Sequence, residues 1–145
     1  MCELISGACN PNGLSVLISK PRIPLLIITL FFISGGIAHF VFGNFFAQIM
    51  PAYLPWHLEL VYLSGVFELL GAVGILLPRT RLLAAYGLMA LCVAVFPANL
   101  NMALRPEQFP DIPVAFLYIR LPFQPLFIWF IWWAVAAERQ QRTQP

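Results

Sequence analysis

Four long apolar runs, separated by short polar or proline-containing segments, dominate the pattern of residues along this chain. The runs cover about residues 24–46, 57–77, 82–102 and 114–137. Each is long enough to cross ~30 Å of hydrocarbon as a helix that rises ~1.5 Å per residue. The pattern therefore predicts an all-α fold, an integral membrane four-helix bundle with short connections between its helices.

The composition favours the same class of protein. Of the 145 residues, 61% are hydrophobic and 10% are charged, and the mean hydropathy is +0.84. An average soluble domain is about 45–50% apolar and about 25% charged, and a soluble chain of this length has too little interior to bury so much apolar surface. The net charge of +2 comes without a basic cluster, which argues against nucleic-acid binding. The lipid bilayer is the expected partner.

The basic residues between the runs predict the orientation of the bundle. Three basic pairs fall on one side of the membrane if the chain crosses it four times, namely Lys20 with Arg22, Arg79 with Arg81, and Arg139 with Arg142. The positive-inside rule places that side in the cytoplasm, and both termini with it. A multi-pass protein of the bacterial inner membrane is expected.

The same boundaries divide the chain into three parts. Residues 1–22 form a predicted N-terminal cytoplasmic tail, residues 23–138 the transmembrane domain, and residues 139–145 a polar C-terminal tail that is expected to fray. The first tail contains Cys2 and Cys9, for which a reducing compartment makes a disulfide unexpected. No cysteine belongs to a CxxC pair or has a histidine at zinc-ligand spacing, so no metal site is predicted.

Glycines recur at helical spacing in the first two apolar runs. They are Gly35, Gly36 and Gly43 in the first run, and Gly65, Gly71 and Gly74 in the second. Small residues on one helix face let two membrane helices approach closely. We expect these faces to pack against each other.

Several polar residues interrupt the apolar runs, and such residues usually face the interior of a membrane bundle. The candidates for ligand binding or proton handling are His39, Glu68, Asn99, Arg120 and Gln124. With alternating helix directions, all five fall in the outer half of the bundle. Pro97 removes a backbone hydrogen bond and predicts a kink in the third helix.

Glu68 and Arg120 are predicted to form a pair. A guanidinium group does not escape burial by losing its proton, so Arg120 needs an anionic or carbonyl partner. We expect His39 and Gln124 to satisfy the remaining polar groups. Two interpretations stay open. The pair either fixes the register of the helices, or belongs to a pocket, open to the outer face, for an apolar ligand with a polar head.

Four segments of the chain resemble the DoxX-like family of small bacterial membrane proteins. They are GIAHF (Gly36 to Phe40), YLSGVFELLGAVGILLPRTR (Tyr62 to Arg81), VAVFPANLNMA (Val93 to Ala103) and RLPFQPLFIWFIWW (Arg120 to Trp133). The resemblance covers residues 33–134 and implies a four-helix membrane protein. The polar positions of that family fall here on the five candidates and Pro97.

The resemblance also implies a class of function, because some relatives are subunits of a thiosulfate:quinone oxidoreductase and others are linked to oxidative-stress complexes. The first hypothesis is therefore a quinone- or lipid-binding accessory subunit, with a membrane or peripheral redox protein as its partner. The alternative is a structural or assembly subunit in which the polar cluster only fixes packing. A small transporter or channel is a third hypothesis. A homo-oligomer, which the sequence leaves open, would support it.

Overall fold

The computed structural model describes residues 23–143, with side chains up to residue 140. Its elements are α1 (Ile23–Val41), α2 (Gly43–Ile49), α3 (His57–Leu76), α4 (Arg81–Leu104), a 3-10 turn (Pro106–Gln108) and α5 (Val114–Thr143). The predicted N-terminal tail, with Cys2 and Cys9, lies outside the described residues.

Four of these helices are long and apolar enough to cross a membrane, namely α1, α3, α4 and residues Val114–Gln140 of α5. The prediction of an all-α four-helix bundle is confirmed. Large apolar side chains point away from the bundle, as at Leu30, Leu83 and Ile119, which are 62–77% exposed. Such a surface is stable in lipid, where apolar side chains carry no hydration cost.

The four long helices form a ring in the order α1, α3, α4, α5, and α5 closes the ring against α1. Helices α3 and α5 therefore occupy opposite corners of the bundle. Two apolar clusters fill its interior. The larger combines residues from all four long helices, from Leu25 and Ile28 to Ile131 and Val135. The smaller consists of Ile49, Met102, Phe109 and Leu117.

The first predicted helix is not continuous. The sequence predicts one helix over residues 24–46, but α1 ends at Val41 and α2 begins at Gly43. A Cβ atom on Gly43 would lie 2.8 Å from the Tyr62 ring, so the absence of a side chain lets α2 pack against α3. Glycine also favours an interruption because it has a low helix propensity.

The last helix is longer than the predicted span of residues 114–137, because α5 continues to Thr143. Arg81 connects the end of this helix to its neighbours. Its Nη1 donates to Glu138 Oε1 at 3.0 Å, while Nε and Nη2 donate to the carbonyls of Ile75 and Leu76 at 2.9 and 3.1 Å. These carbonyls belong to the last turn of α3, where no helical N–H is available. Arg81, only 4% exposed, thus joins the ends of three helices.

The predicted close packing of glycines is confirmed between α1 and α3. A Cβ atom on Gly36 would lie 3.0 Å from the Gly65 carbonyl oxygen, and one on Gly65 would lie 3.2 Å from that of Gly36. The two backbones are thus in direct contact. Gly87 on α4 differs, because a Cβ atom there would meet nothing within 4 Å.

Replacement of Gly36 by valine is expected to lower the free energy of unfolding by about 1–3 kcal/mol, because the new side chain would separate α1 from α3. Gly87→Val is the matched control, since its side chain would enter open space and should change stability by less than about 0.5 kcal/mol. Equilibrium unfolding in mixed detergent, followed by tryptophan fluorescence, measures both. Equal stability of the two variants would contradict the backbone contact.

Arg81→Leu is expected to lower the free energy of unfolding by about 3–5 kcal/mol, because three charge-assisted hydrogen bonds, to Glu138 and to the carbonyls of Ile75 and Leu76, are lost together. The control is Arg79→Leu, two residues away on an exposed position. The same unfolding assay compares them. If Arg81→Leu were as stable as the control, the guanidinium would not be holding the helix ends together.

Candidate polar layer

The polar residues predicted from the sequence occupy one layer of the bundle, together with Ser64. We call this layer the polar layer, and its members are His39, Ser64, Glu68, Asn99, Arg120 and Gln124. Each residue continues the buried stripe of its helix. On α3, Glu68 lies between the buried positions Gly65 and Ala72. On α5, Arg120 and Gln124 lie between the buried residues Leu117 and Phe127.

This layer separates the two apolar clusters. Along α4, Cys92 belongs to the larger cluster and Met102 to the smaller one, with Asn99 between them. The smaller cluster thus lies between the polar layer and the α2 end of the bundle. A pocket around the five candidates that opens at this end stays a prediction.

Glu68 and His39 form the α1–α3 side of the layer. Glu68 Oε2 lies 3.8 Å from His39 Nδ1, and their side chains are 13% and 12% exposed. This oxygen is buried and has no hydrogen-bond partner among the described residues. Gly35 makes room for it, since a Cβ atom there would lie 2.7 Å from Oε2. A buried carboxylate oxygen without a donor is costly in any protein interior.

Ser64 links His39 to the backbone of α3. Its hydroxyl group lies 2.8 Å from the Val61 carbonyl oxygen, to which it donates, and its oxygen also lies 3.1 Å from His39 Nδ1. This contact holds the His39 ring beside Glu68 on the same face of α3.

The α4–α5 side of the layer is hydrogen-bonded internally. Asn99 Nδ2 donates to Gln124 Oε1 at 3.0 Å, and Gln124 Nε2 donates to the Cys92 carbonyl. Gln124 is 8% exposed. Because both polar atoms of its amide are engaged on α4, this side chain fixes α5 against α4. Pro97 lies inside α4, and the kink expected there stays a prediction.

Arg120 does not pair with Glu68, so this prediction is wrong. Its Nη1 donates to the Met102 sulfur at 3.2 Å, and its guanidinium carbon lies 5.2 Å from the centroid of the Phe116 ring. The reason is the order of the helices in the ring. Glu68 is on α3 and Arg120 on α5, and these helices occupy opposite corners. The ion pair that the sequence predicts as a register lock is therefore not formed.

Sequence reasoning missed two contributions. Ser64 was not a candidate, although it lies four residues before Glu68 and so on the same helix face. The pair of Arg81 and Glu138 was also missed, because Arg81 served only as an indicator of topology. Within the described residues, no group of three or more His, Cys, Asp or Glu side chains could hold a metal ion.

Gln124→Leu is expected to lower the free energy of unfolding by about 1–3 kcal/mol, because the half-buried amide of Asn99 would lose its acceptor. The exposed Gln108→Leu serves as the control. Thermal unfolding in detergent would report the difference. A fully stable Gln124→Leu would show that these hydrogen bonds do not hold α5 against α4.

Comparison with known proteins assigns a family but no activity. No curated protein matches the chain, and no solved structure matches it. A family model described as a domain of unknown function, DUF8561, matches residues 28–137. This range contains the whole polar layer and most of the four long helices. The chain therefore belongs to the DUF8561 family.

Proposed function

We propose that this protein binds a quinone, or another lipid with a polar head, in the polar layer, and that it serves as an accessory subunit of a membrane redox or oxidative-stress system. One observation carries the proposal. Glu68 Oε2 is buried against Gly35 and has no donor among the described residues. A ligand hydroxyl that donates to this oxygen would satisfy it.

The neighbours of Glu68 suit such a ligand. His39 Nδ1 lies 3.8 Å from the Glu68 carboxylate, so a small rotation of either side chain would bring the two groups within reach of proton transfer. Arg120, on another helix of the layer, directs one nitrogen to Met102. Its other N–H groups make no hydrogen bond within the described part of the chain, and they are donors for a carbonyl oxygen.

An apolar ligand would reach the polar layer between α1 and α5. Helix α1 packs far more extensively on α3 than on α5. The seam between α1 and α5 is bridged by aromatic rings, with Phe31 lying 4.3 Å from Phe127 and 6.2 Å from Phe123, centroid to centroid. Phe31 and Phe123 are exposed and rotate without loss of backbone hydrogen bonds, whereas Phe127 is buried. A flat apolar molecule would therefore enter from the bilayer by displacing the two exposed rings.

The resemblance to the DoxX-like family supports the same class of ligand, because some members belong to a thiosulfate:quinone oxidoreductase. With this assignment, the protein would lie in the bacterial inner membrane with both termini in the cytoplasm. The basic pairs on one side of the bundle support this orientation. No residue of the layer is assigned a catalytic role.

The alternative is a structural or assembly subunit whose polar layer only fixes helix packing. The hydrogen bonds that join Asn99, Gln124 and the Cys92 carbonyl favour it. They do not account for Glu68, whose Oε2 contributes no hydrogen bond to packing. The two proposed functions therefore predict different effects of a substitution at Glu68 on ligand binding and on stability.

Glu68→Leu is expected to stay folded and to lose the ligand. Removal of a carboxylate that lacks a donor should not lower stability, whereas it removes the acceptor for the ligand hydroxyl. Mass spectrometry of the small molecules that co-purify in mild detergent measures the effect. We expect a quinone or polar-headed lipid with the wild type, reduced about ten-fold or more in the variant.

The control is Glu59→Leu, an exposed position on the same helix, which should retain the ligand. Equal ligand content in Glu68→Leu and wild type would show that Glu68 is not the acceptor. If no sample contained a specific ligand and Glu68→Leu unfolded more easily, the structural alternative would be correct.

A further inference from the structure

A second polar region lies at the α2 end of the bundle, apart from the polar layer. A cavity of about 420 Å³, wide open to the outside, is present there. Its polar lining consists of Gln48, His57, Asn101, Arg105 and Gln108. The lining thus comes from α2, from the ends of α3 and α4, and from the 3-10 turn.

Two of these residues hold the walls in place. His57 Nε2 donates to the Pro51 carbonyl at 3.1 Å, which ties the start of α3 to the preceding loop. Asn101 Nδ2 donates to the Ile49 carbonyl at 2.9 Å, which ties α4 to the end of α2. Both bonds are internal to the protein, so the shape of the cavity does not depend on a ligand.

The other three residues offer unengaged donors. Within the described residues, the side chains of Arg105, Gln48 and Gln108 form no hydrogen bond or ion pair. Arg105 supplies a permanent positive charge. No carboxylate belongs to the lining, and Glu107, two residues after Arg105 in the chain, is not part of it. A cavity with donors and positive charge but no acid attracts an anionic oxygen group.

The neighbouring aromatic residues indicate the depth of this cavity. Tyr53 and Trp56, in the loop that leads to His57, are 75% and 74% exposed. Exposed tyrosine and tryptophan side chains at the end of a membrane helix typically lie at the level of the lipid headgroups. The smaller apolar cluster, which includes Ile49 and Met102, lies between the cavity and the polar layer.

We propose that this cavity binds a phosphate ester group, as presented by a phospholipid headgroup or by a soluble phosphate ester. The Arg105 guanidinium pairs with two phosphate oxygens, since its geometry suits bidentate contacts. The amides of Gln48 and Gln108 donate to the remaining oxygens. The site is independent of the ligand proposed for the polar layer, because the two regions share no residue.

The test is native mass spectrometry of the detergent-solubilised chain with dioleoylphosphatidylglycerol, compared with dioleoylglycerol, which lacks the phosphate. Wild type is expected to retain the phospholipid and not the diacylglycerol. Arg105→Gln should reduce the retained phospholipid about ten-fold, because a charge-assisted hydrogen bond is lost. Arg79→Gln, an exposed arginine at the other end of the bundle, should retain it as wild type does.

A further addition of glycerol 3-phosphate distinguishes the two sources. Displacement of the phospholipid would support the site and assign it to a soluble phosphate ester, whereas its retention would support the site and assign it to the headgroup. Equal retention of phospholipid and diacylglycerol by wild type would overturn the proposal, as would an Arg105→Gln variant that binds as wild type. Circular dichroism verifies that each variant is folded.

Discussion

The contact between α1 and α3 at Gly36 and Gly65 determines where the polar residues of this bundle meet. In lipid, no hydrophobic force drives one apolar helix onto another, so association depends on close packing and polar contacts. The two glycines bring the helix backbones together. Their contact fixes the depth at which Gly35 faces Glu68, and it places His39 beside the same carboxylate. A larger residue at either glycine would separate the pair of groups on which the proposed binding site depends.

Different interactions complete the two ends of the bundle. At one end, Arg81 uses its guanidinium group to join the last carbonyls of α3 to Glu138 on α5. At the other end, α2 and the loop residue Phe109 cover the interior with the smaller apolar cluster. An apolar cluster therefore lies on each side of the polar layer.

The two sides of the polar layer differ in how well their groups are satisfied. Between α4 and α5, Gln124 engages both ends of its amide and holds the helices together. Between α1 and α3, one oxygen of Glu68 has no donor among the described residues. A protein that needed only stability would gain by an apolar residue at this position. The unsatisfied oxygen of Glu68 is therefore the observation on which the proposed binding function rests, whereas the amides of Asn99 and Gln124 stabilise the packing of α4 against α5.

The sequence by itself determined the class of the protein and the inward face of each helix. Hydrophobic runs of membrane-spanning length imply helices, because the bilayer offers no other partner for backbone groups, and helical periodicity places His39 and Glu68 inside. The tertiary structure decided which inward residues meet. The helical periodicity shows which face of a helix points inward, but not which other helix that face meets. The predicted pair of Glu68 and Arg120 was wrong because α3 and α5 occupy opposite corners of the bundle. The role of Arg81 and the break before Gly43 likewise depend on contacts with other helices, which the local sequence does not specify.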